Sequence, residues 1–158
     1  MTGRPAPPPI RPMSAADLPR VMEIAQSLEE APEWPPAAWA AVLSRHAVPR
    51  RIALVAAEPL SGIIAGFAVA ILVPPQSELE LIAVVTRSRR RGIGRLLIAA
   101  LASELLAAGM QELFLEVRVS NRAARDFYRA LGFAETGRRA RYYTDPEEDA
   151  VLMSLRLA

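Results

Sequence analysis

The 158 residues amount to one ordinary domain, 52% hydrophobic with a mean hydropathy of +0.18, which is enough apolar material for a core and excludes wholesale disorder. With no cysteine and a single histidine, His46, the chain has no disulfide framework, no thiolate nucleophile and no Cys-based or His-rich metal cluster, and no metal is expected. All 19 basic residues are arginine against 17 acids, and they are unevenly placed: residues 1–80 hold 6 Arg and 8 acids, residues 81–158 hold 13 Arg and 9 acids. An anion-handling surface is therefore expected in the second half.

No uncharged apolar run reaches the ~18 residues of a membrane helix, and the N-terminus is proline-rich where a signal peptide has a continuous apolar stretch. A cytoplasmic protein without membrane contact is expected. Met1 to Pro12 carries five prolines and little that packs, and reads as a flexible extension outside a folded domain spanning 13–158. Ser14-Ala-Ala-Asp17 is a capping-box-like start, and Leu18, Val21, Met22, Ala25 and Leu28 behind it recur at helical spacing. After Pro32, Pro35 and Pro36, the segment Ala37 to Arg45 predicts a short second helix with Trp39, Val42 and Leu43 on one side.

Ile52 to Ala57 and Gly62 to Val73 are apolar runs joined by turn chemistry, so the spacing predicts an antiparallel hairpin ended by Pro74-Pro75. A third strand, Leu79 to Val85, leads into Arg87 to Arg91 and Gly92-Ile93-Gly94. A long helix then presents Leu96, Leu97, Ala100, Leu101, Leu105 and Ala108, and stops at Gly109. Leu113 to Val119 predicts a strand, Asn121 to Leu131 a helix closed by Gly132, and Val151 to Leu157 a last strand after a polar loop, Thr144 to Asp149. No element is read between Gly132 and that loop. The pattern is a single α/β domain without internal repeats.

Three segments carry possible chemistry. Between a strand and a helix stands Arg89-Arg90-Arg91-Gly92-Ile93-Gly94-Arg95. Glycines admit close backbone approach, and N–H groups at a helix start favour a phosphate or pyrophosphate, while a solvated basic loop capping the helix is the plainer alternative. The turn is not a P-loop, since no Gly-Lys-Ser/Thr follows, and it lacks the third small residue of a dinucleotide fingerprint. In Leu113 to Val119 alternation places Phe114, Glu116 and Arg118 opposite Leu115 and Val117. Glu116 is thus a candidate general base or one half of an ion pair with Arg118 or a neighbouring strand. In the last helix Asn121 is a good N-cap, and Tyr128 is either a packing residue or a general acid.

Ile82-Ala83-Val84, Arg89-x-x-Gly92-x-Gly94, Leu115-Glu116-Val117, Asn121-x-x-Ala124 and Tyr128-x-x-Leu131-Gly132-Phe133, in this order and spacing, resemble the GCN5-related N-acetyltransferase (GNAT) fold. Glu116-Val-Arg-x-Ser-Asn121, Phe127-Tyr128, Arg138-Arg139-x-x-Tyr142-Tyr143 and Glu148-Asp149-Ala-x-x-Met153 are similar to RimI-like ribosomal-protein-alanine acetyltransferases, and Glu33-Trp34 is similar to their aromatic turn.

The resemblance implies a mixed, mostly antiparallel central sheet with splayed strands, flanked by helices. It implies acetyl-CoA as co-substrate, held by the backbone of Ile82, Ala83 and Val84, by the turn Arg89, Arg90, Arg91, Gly92, Ile93, Gly94 and Arg95, and by Asn121. Glu116 would take the proton from the amine, through water, and Tyr128 would protonate the departing thiolate. Trp34, Arg138 to Tyr143 and the loop before Val151 would shape the acceptor groove, with Trp34, Tyr142 and Tyr143 as its contact residues. The acceptor implied is a protein N-terminus, that of a small-subunit ribosomal protein among them, with the enzyme a monomer or homodimer and no direct nucleic-acid contact. Two alternatives remain at this point: a small-molecule amine acceptor, for which Glu147-Glu148-Asp149 is a possible carboxylate cluster, and a non-catalytic CoA- or nucleic-acid-binding protein.

Overall fold

The computed structural model describes residues 6–28, 33–89 and 91–158. In chain order these form β1 (Ile10–Pro12), a 3-10 turn (Ala15–Asp17) running into α1 (Leu18–Gln26), α2 (Pro36–Val42), β2 (Arg51–Ala57), β3 (Ile64–Val73) and β4 (Gln76–Val84). A second 3-10 turn (Thr86–Ser88) leads to α3 (Ile93–Ala107), followed by β5 (Glu112–Arg118), α4 (Arg122–Ala130), β6 (Ala134–Tyr143) and β7 (Glu148–Arg156). The strands lie in one sheet in the order β1-β2-β3-β4-β5-β7-β6. Neighbours are antiparallel except β4 and β5, which are parallel and joined through α3.

The sheet separates two apolar layers. On one face α3 buries Ile93, Leu97, Ile98, Leu101 and Leu105 against Leu54, Ala68 and Ala70 of the sheet, with Tyr128 and Phe133 in the same layer. On the other face Val21, Ile24 and Ala25 of α1 and Trp39 and Val42 of α2 cover Val55, Phe67 and Val69. Residues under α3 are small for a steric reason. A Cβ at Gly66 would stand 3.3 Å from Leu97 Cδ1 and 2.7 Å from the Ala83 carbonyl oxygen, so only glycine lets the helix and β4 approach this closely.

Two parts of the fold depart from the sequence reading. The expected extension 1–12 already contributes β1, whose Ile10 and Pro12 pair with Ala56 and Leu54 at the sheet edge. Proline is tolerated there because the missing N–H faces no neighbouring strand, and Pro9 still accepts from the Ala57 N–H at 3.2 Å. Arg11 then reaches Asp17 with two bonds of 2.7 and 2.9 Å, and the same carboxylate accepts the backbone N–H of Ser14 at 2.8 Å, closing the expected capping box. Residues 1–5 of that expected extension lie outside the described residues. The second departure is β6, an edge strand in a stretch where no element was read. It has no apolar alternation because it lies exposed at the sheet's edge, bonded on one side only. The expected hairpin and the β4–α3–β5 unit are present, with β3 starting at Ile64 after the left-handed Gly62 (φ 69°).

Candidate active site

The parallel pairing of β4 with β5 covers only Gln76–Glu112, Ser77–Leu113 and Glu78–Phe114, and the strands separate beyond it. A bulge initiates the separation: Leu79 pairs with Ala70 but Leu81 pairs with Val69, leaving Glu80 as the extra residue that bends β4. Val85 donates its backbone N–H to Ala65 of β3 at 2.8 Å. Strand alternation then turns the backbone groups of Ile82 and Val84 away from β3 and toward the gap, and those of Ala83 toward β3.

At the mouth of this gap the chain turns into α3. Gly92 takes a left-handed conformation (φ 76°) as the N-cap, so the first amides of α3, at Ile93, Gly94 and Arg95, have no acceptor inside the helix. The Ile93 side chain is core, which leaves its amide as the part available to a ligand. Gly94 lies under α4: a Cβ there would stand 3.1 Å from the Phe127 ring. Arg87, Arg89 and Arg95 are exposed around the turn. Arg91 is committed elsewhere, donating to Glu58 Oε1 and to the Ala6 carbonyl, each at 2.7 Å. Arg90 lies outside the described residues. Asn121 caps α4 by accepting the Ala124 N–H at 3.2 Å.

Glu116 occupies the β5 lip of the gap with its side chain 7% exposed. The expected alternation holds, since Leu113, Leu115 and Val117 are buried on the α3 side while Glu116 faces the other way. Its ion-pair partner is Arg139 of β6, two strands over, at 3.3 Å. Arg118 instead pairs with Glu148 at 3.2 Å; hydrogen bonds from Ser120 first, and the Arg118 guanidinium after them, hold Glu148 below the usual carboxylate range. That engagement removes Glu148 from any free carboxylate cluster. Tyr142 hydrogen-bonds Glu116, and this bond, with burial and the nearby negative charge, pushes the phenol up to about 12.

One residue that the sequence reading did not single out, Glu78, stands beside Glu116. Glu78 of β4 is pushed up by burial first and then by the charges of Glu116 and Glu80, with Arg139 partly offsetting them. Glu80 is held by Arg51 at 2.7 Å, and the Arg51 guanidinium lies 5.8 Å over the Trp34 ring, which packs on Trp39 at 4.9 Å. A row of charged side chains, three acids flanked by arginines, thus runs from Trp34 through Arg51, Glu80, Glu78, Glu116 and Arg139 to Tyr142. It brings the predicted Trp34, Glu116 and Tyr142 onto one face. The alternation in Ser77-Glu78-Leu79 was the available signal for Glu78. Arg139 was already among the expected groove residues, but its pairing with Glu116 had no signal, because its strand was not read.

Tyr128 lies in the α3-side layer, buried, with edge-on contacts to Phe127 and Phe133 at 5.2 and 5.4 Å. Burial pushes its phenol up to about 12, with Tyr143 adding to the effect. Tyr143 in turn packs under the Arg118 guanidinium at 4.4 Å.

The comparisons with known proteins agree with this geometry. The model of the acetyltransferase (GNAT) family matches residues 18–133. Over 100 residues, covering 62% of this chain and 68% of the relative, the sequence is 42% identical to the ribosomal protein bS18-alanine N-acetyltransferase of Escherichia coli strain K12. The fold is similar to the crystal structure of the ribosomal-protein-S18-alanine N-acetyltransferase from Escherichia coli, with a TM-score of 0.81 and 34% identity over 95% of this chain and 94% of that one. It is also similar to Ard1 from Thermoplasma volcanium, with a TM-score of 0.77 and 29% identity over 95% and 97% of the two chains. With a splayed β4–β5 gap, a glycine-capped α3 and a family match across most of its length, the chain belongs to the acetyltransferase (GNAT) family.

Proposed function

We propose that the protein transfers the acetyl group of acetyl-CoA to the N-terminal α-amine of a protein, with an alanine-starting small-subunit ribosomal protein as the acceptor class. The observation that carries this reading is the gap itself, with β4 backbone turned into it from one lip and a buried carboxylate on the other. The residues present fit acetyl-CoA: β4 backbone turned away from β3 suits an acyl-pantetheine arm, with Arg89 reaching the Val84 carbonyl at 3.4 Å, and the first-turn amides of α3 with exposed arginines suit a pyrophosphate. The bound co-substrate would supply the activated acetyl thioester. Ile82, Ala83 and Val84 hold the arm in this reading, with Ala83 chiefly shaping the strand. Arg89, Gly92, Ile93, Gly94 and Arg95 hold the diphosphate, and Arg91 contributes its amide while its side chain anchors the turn. Asn121 orders the start of α4 beside the arm.

The chain's own proton handling follows from its environments. A protein α-amine titrates near 7.7–8.0, so at neutral pH most acceptors arrive as ammonium and must shed a proton. Glu116 receives that proton, through a water molecule, from the side of the sheet that carries Trp34, Tyr142 and Tyr143. Tyr128 is protonated at neutral pH, and in this reading it donates to the leaving sulfur from the α3 side, although burial, which pushes its phenol up to about 12, makes it a weaker acid than a free phenol. A cytoplasmic site of action matches that acceptor, and no described helix is long and apolar enough to cross a membrane.

The test is thiol release from acetyl-CoA with three acceptors: an alanine-starting ribosomal peptide, the same peptide with a blocked N-terminus, and spermidine. Release with the free peptide alone is expected, and Glu116→Gln is expected to lower kcat about 10²- to 10³-fold. Release with spermidine alone, or full kcat in Glu116→Gln, would overturn the acceptor and the base respectively.

A further inference from the structure

The Glu116 side chain is largely shielded from water, and a shielded carboxylate without a cation is costly, so something must balance it before an acceptor arrives. The balancing group is Arg139, which among the described residues is unlike the other arginine partners of shielded carboxylates. Its side chain is 57% exposed against 7% for Glu116, and the contact is 3.3 Å long. Arg11 grips Asp17 with two bonds of 2.7 and 2.9 Å. Arg51 grips Glu80 at 2.7 and 3.4 Å, and Arg118 adds bonds to the Pro146 and Thr144 carbonyls, at 3.1 and 3.3 Å, to its bond with Glu148.

The strand beneath Arg139 is also loosely laced. Ladder pairing passes from Arg139–Ala150 directly to Tyr143–Glu148, so Ala140, Arg141 and Tyr142 bulge out of register. Arg141 takes φ 54° within that bulge. Beyond its ion pair, Arg139 lies over the Tyr142 ring at 5.6 Å.

We propose that Arg139 is a displaceable internal counter-ion, standing on Glu116 where the ammonium group of the acceptor must come, and is therefore a specificity-determining residue of the acceptor site. The inference rests on the proposed role of Glu116 in receiving the amine. The exchange conserves charge: the acceptor's cation replaces the guanidinium, which returns to water from an already exposed position. The groups facing the exchange are Glu78 and Glu80 from β4 and Tyr142 and Tyr143 from β6, while Arg118 and Glu148 neutralise each other. Glu78 adds a second acid beside Glu116, so the site retains its demand for a cation at each stage. An acceptor must therefore outcompete a tethered guanidinium, which selects for amines that are cationic on arrival and that make further contacts in the groove.

The test is steady-state kinetics of the full chain with a free N-terminal peptide and acetyl-CoA. Arg139→Gln is expected to lower the KM for the peptide about two- to fivefold, the range of a partly exposed ion pair, and to leave the KM for acetyl-CoA in place. Arg139→Lys, which restores a cation, is expected to return the peptide KM toward wild type. In a Glu116→Gln background, Arg139→Gln is expected to have no effect on the peptide KM. An unchanged or raised peptide KM in Arg139→Gln, or an equal drop in both backgrounds, overturns the exchange. Wild-type kcat in Glu116→Gln alone would instead remove the proposed base, and the peptide KM of Arg139→Gln would still report whether the guanidinium competes.

Discussion

β3 and β6 are both ten-residue strands of the same sheet, and they are opposites. β3 is central, buried along nearly its whole length, and uncharged from Ile64 to Val73; β6 is an exposed edge carrying Glu135, Arg138, Arg139 and Arg141. The contrast separates what holds the fold from what can vary on it. β3 is covered by helices on both faces, so its side chains up to Ala70, and Leu72, are fixed by packing, and its glycine at 66 is required by the closeness of Ala83 and Leu97. β6 meets no packing demand on its outer side, and it is β6 that sends Arg139 and Tyr142 onto Glu116. In this protein the face used for recognition is supplied by the strand that contributes least to the core.

The sharpest way to break the comparison is Phe67→Ala. Phe67 is fully buried and meets the Trp39 ring edge-on at 6.1 Å, so truncation should cost about 3–5 kcal/mol in urea unfolding. A loss below ~1 kcal/mol would mean that β3 is not the keystone of the α1/α2 layer.

The opposite sheet edge, β1, gives an intermediate effect, because it is locked where β6 is not. Arg11's hydrogen bond, aided by those from Ser14, holds the Asp17 carboxyl down to about 2 from 3.8. A depressed folded-state value gives stabilisation that is complete above pH ~4 and is lost as pH falls toward 2, worth about 2 kcal/mol. Asp17→Asn should therefore lower stability by about that amount at pH 7 and flatten the pH dependence between 4 and 2. An unchanged slope there would show that the lock does not act through Asp17.

The same contrast explains what could be read in the amino-acid sequence. β2, β3, β4 and α3 were legible because burial imposes apolar runs and because glycine and proline mark their ends, as at Pro74-Pro75, Gly92 and Gly109. Glu116 was legible because a carboxylate in an apolar strand breaks its pattern. β1 was hidden by its prolines, which normally argue against strands and are harmless only at an edge. β6 was hidden because an exposed strand needs no alternation, and with it went the pairing of Arg139, whose partner lies two strands away in the sheet and 23 positions away in the chain. The bulge at Glu80 that opens the gap was equally invisible, since it exists only in the register between β3 and β4. Contacts set by register leave no local pattern in composition or periodicity.

The smallest expected effect is at Arg138, the neighbour of Arg139 on β6. Arg138 is exposed and stands opposite Val151 of β7, which is fully buried, so the ladder at this point is supported from the β7 side. Arg138→Ser removes a solvated side chain and leaves the backbone pairing intact, and should change stability by less than about 0.5 kcal/mol in the same urea experiment that reports Phe67→Ala. Because strand alternation places Arg138 and Arg139 on opposite faces, the substitution should also leave the peptide KM unmoved. A stability loss rivalling that of Phe67→Ala would mean that the edge carries the fold after all. A KM shift equal to that of Arg139→Gln would mean that the arginines of β6 act on the acceptor as a diffuse positive field rather than through the single contact to Glu116.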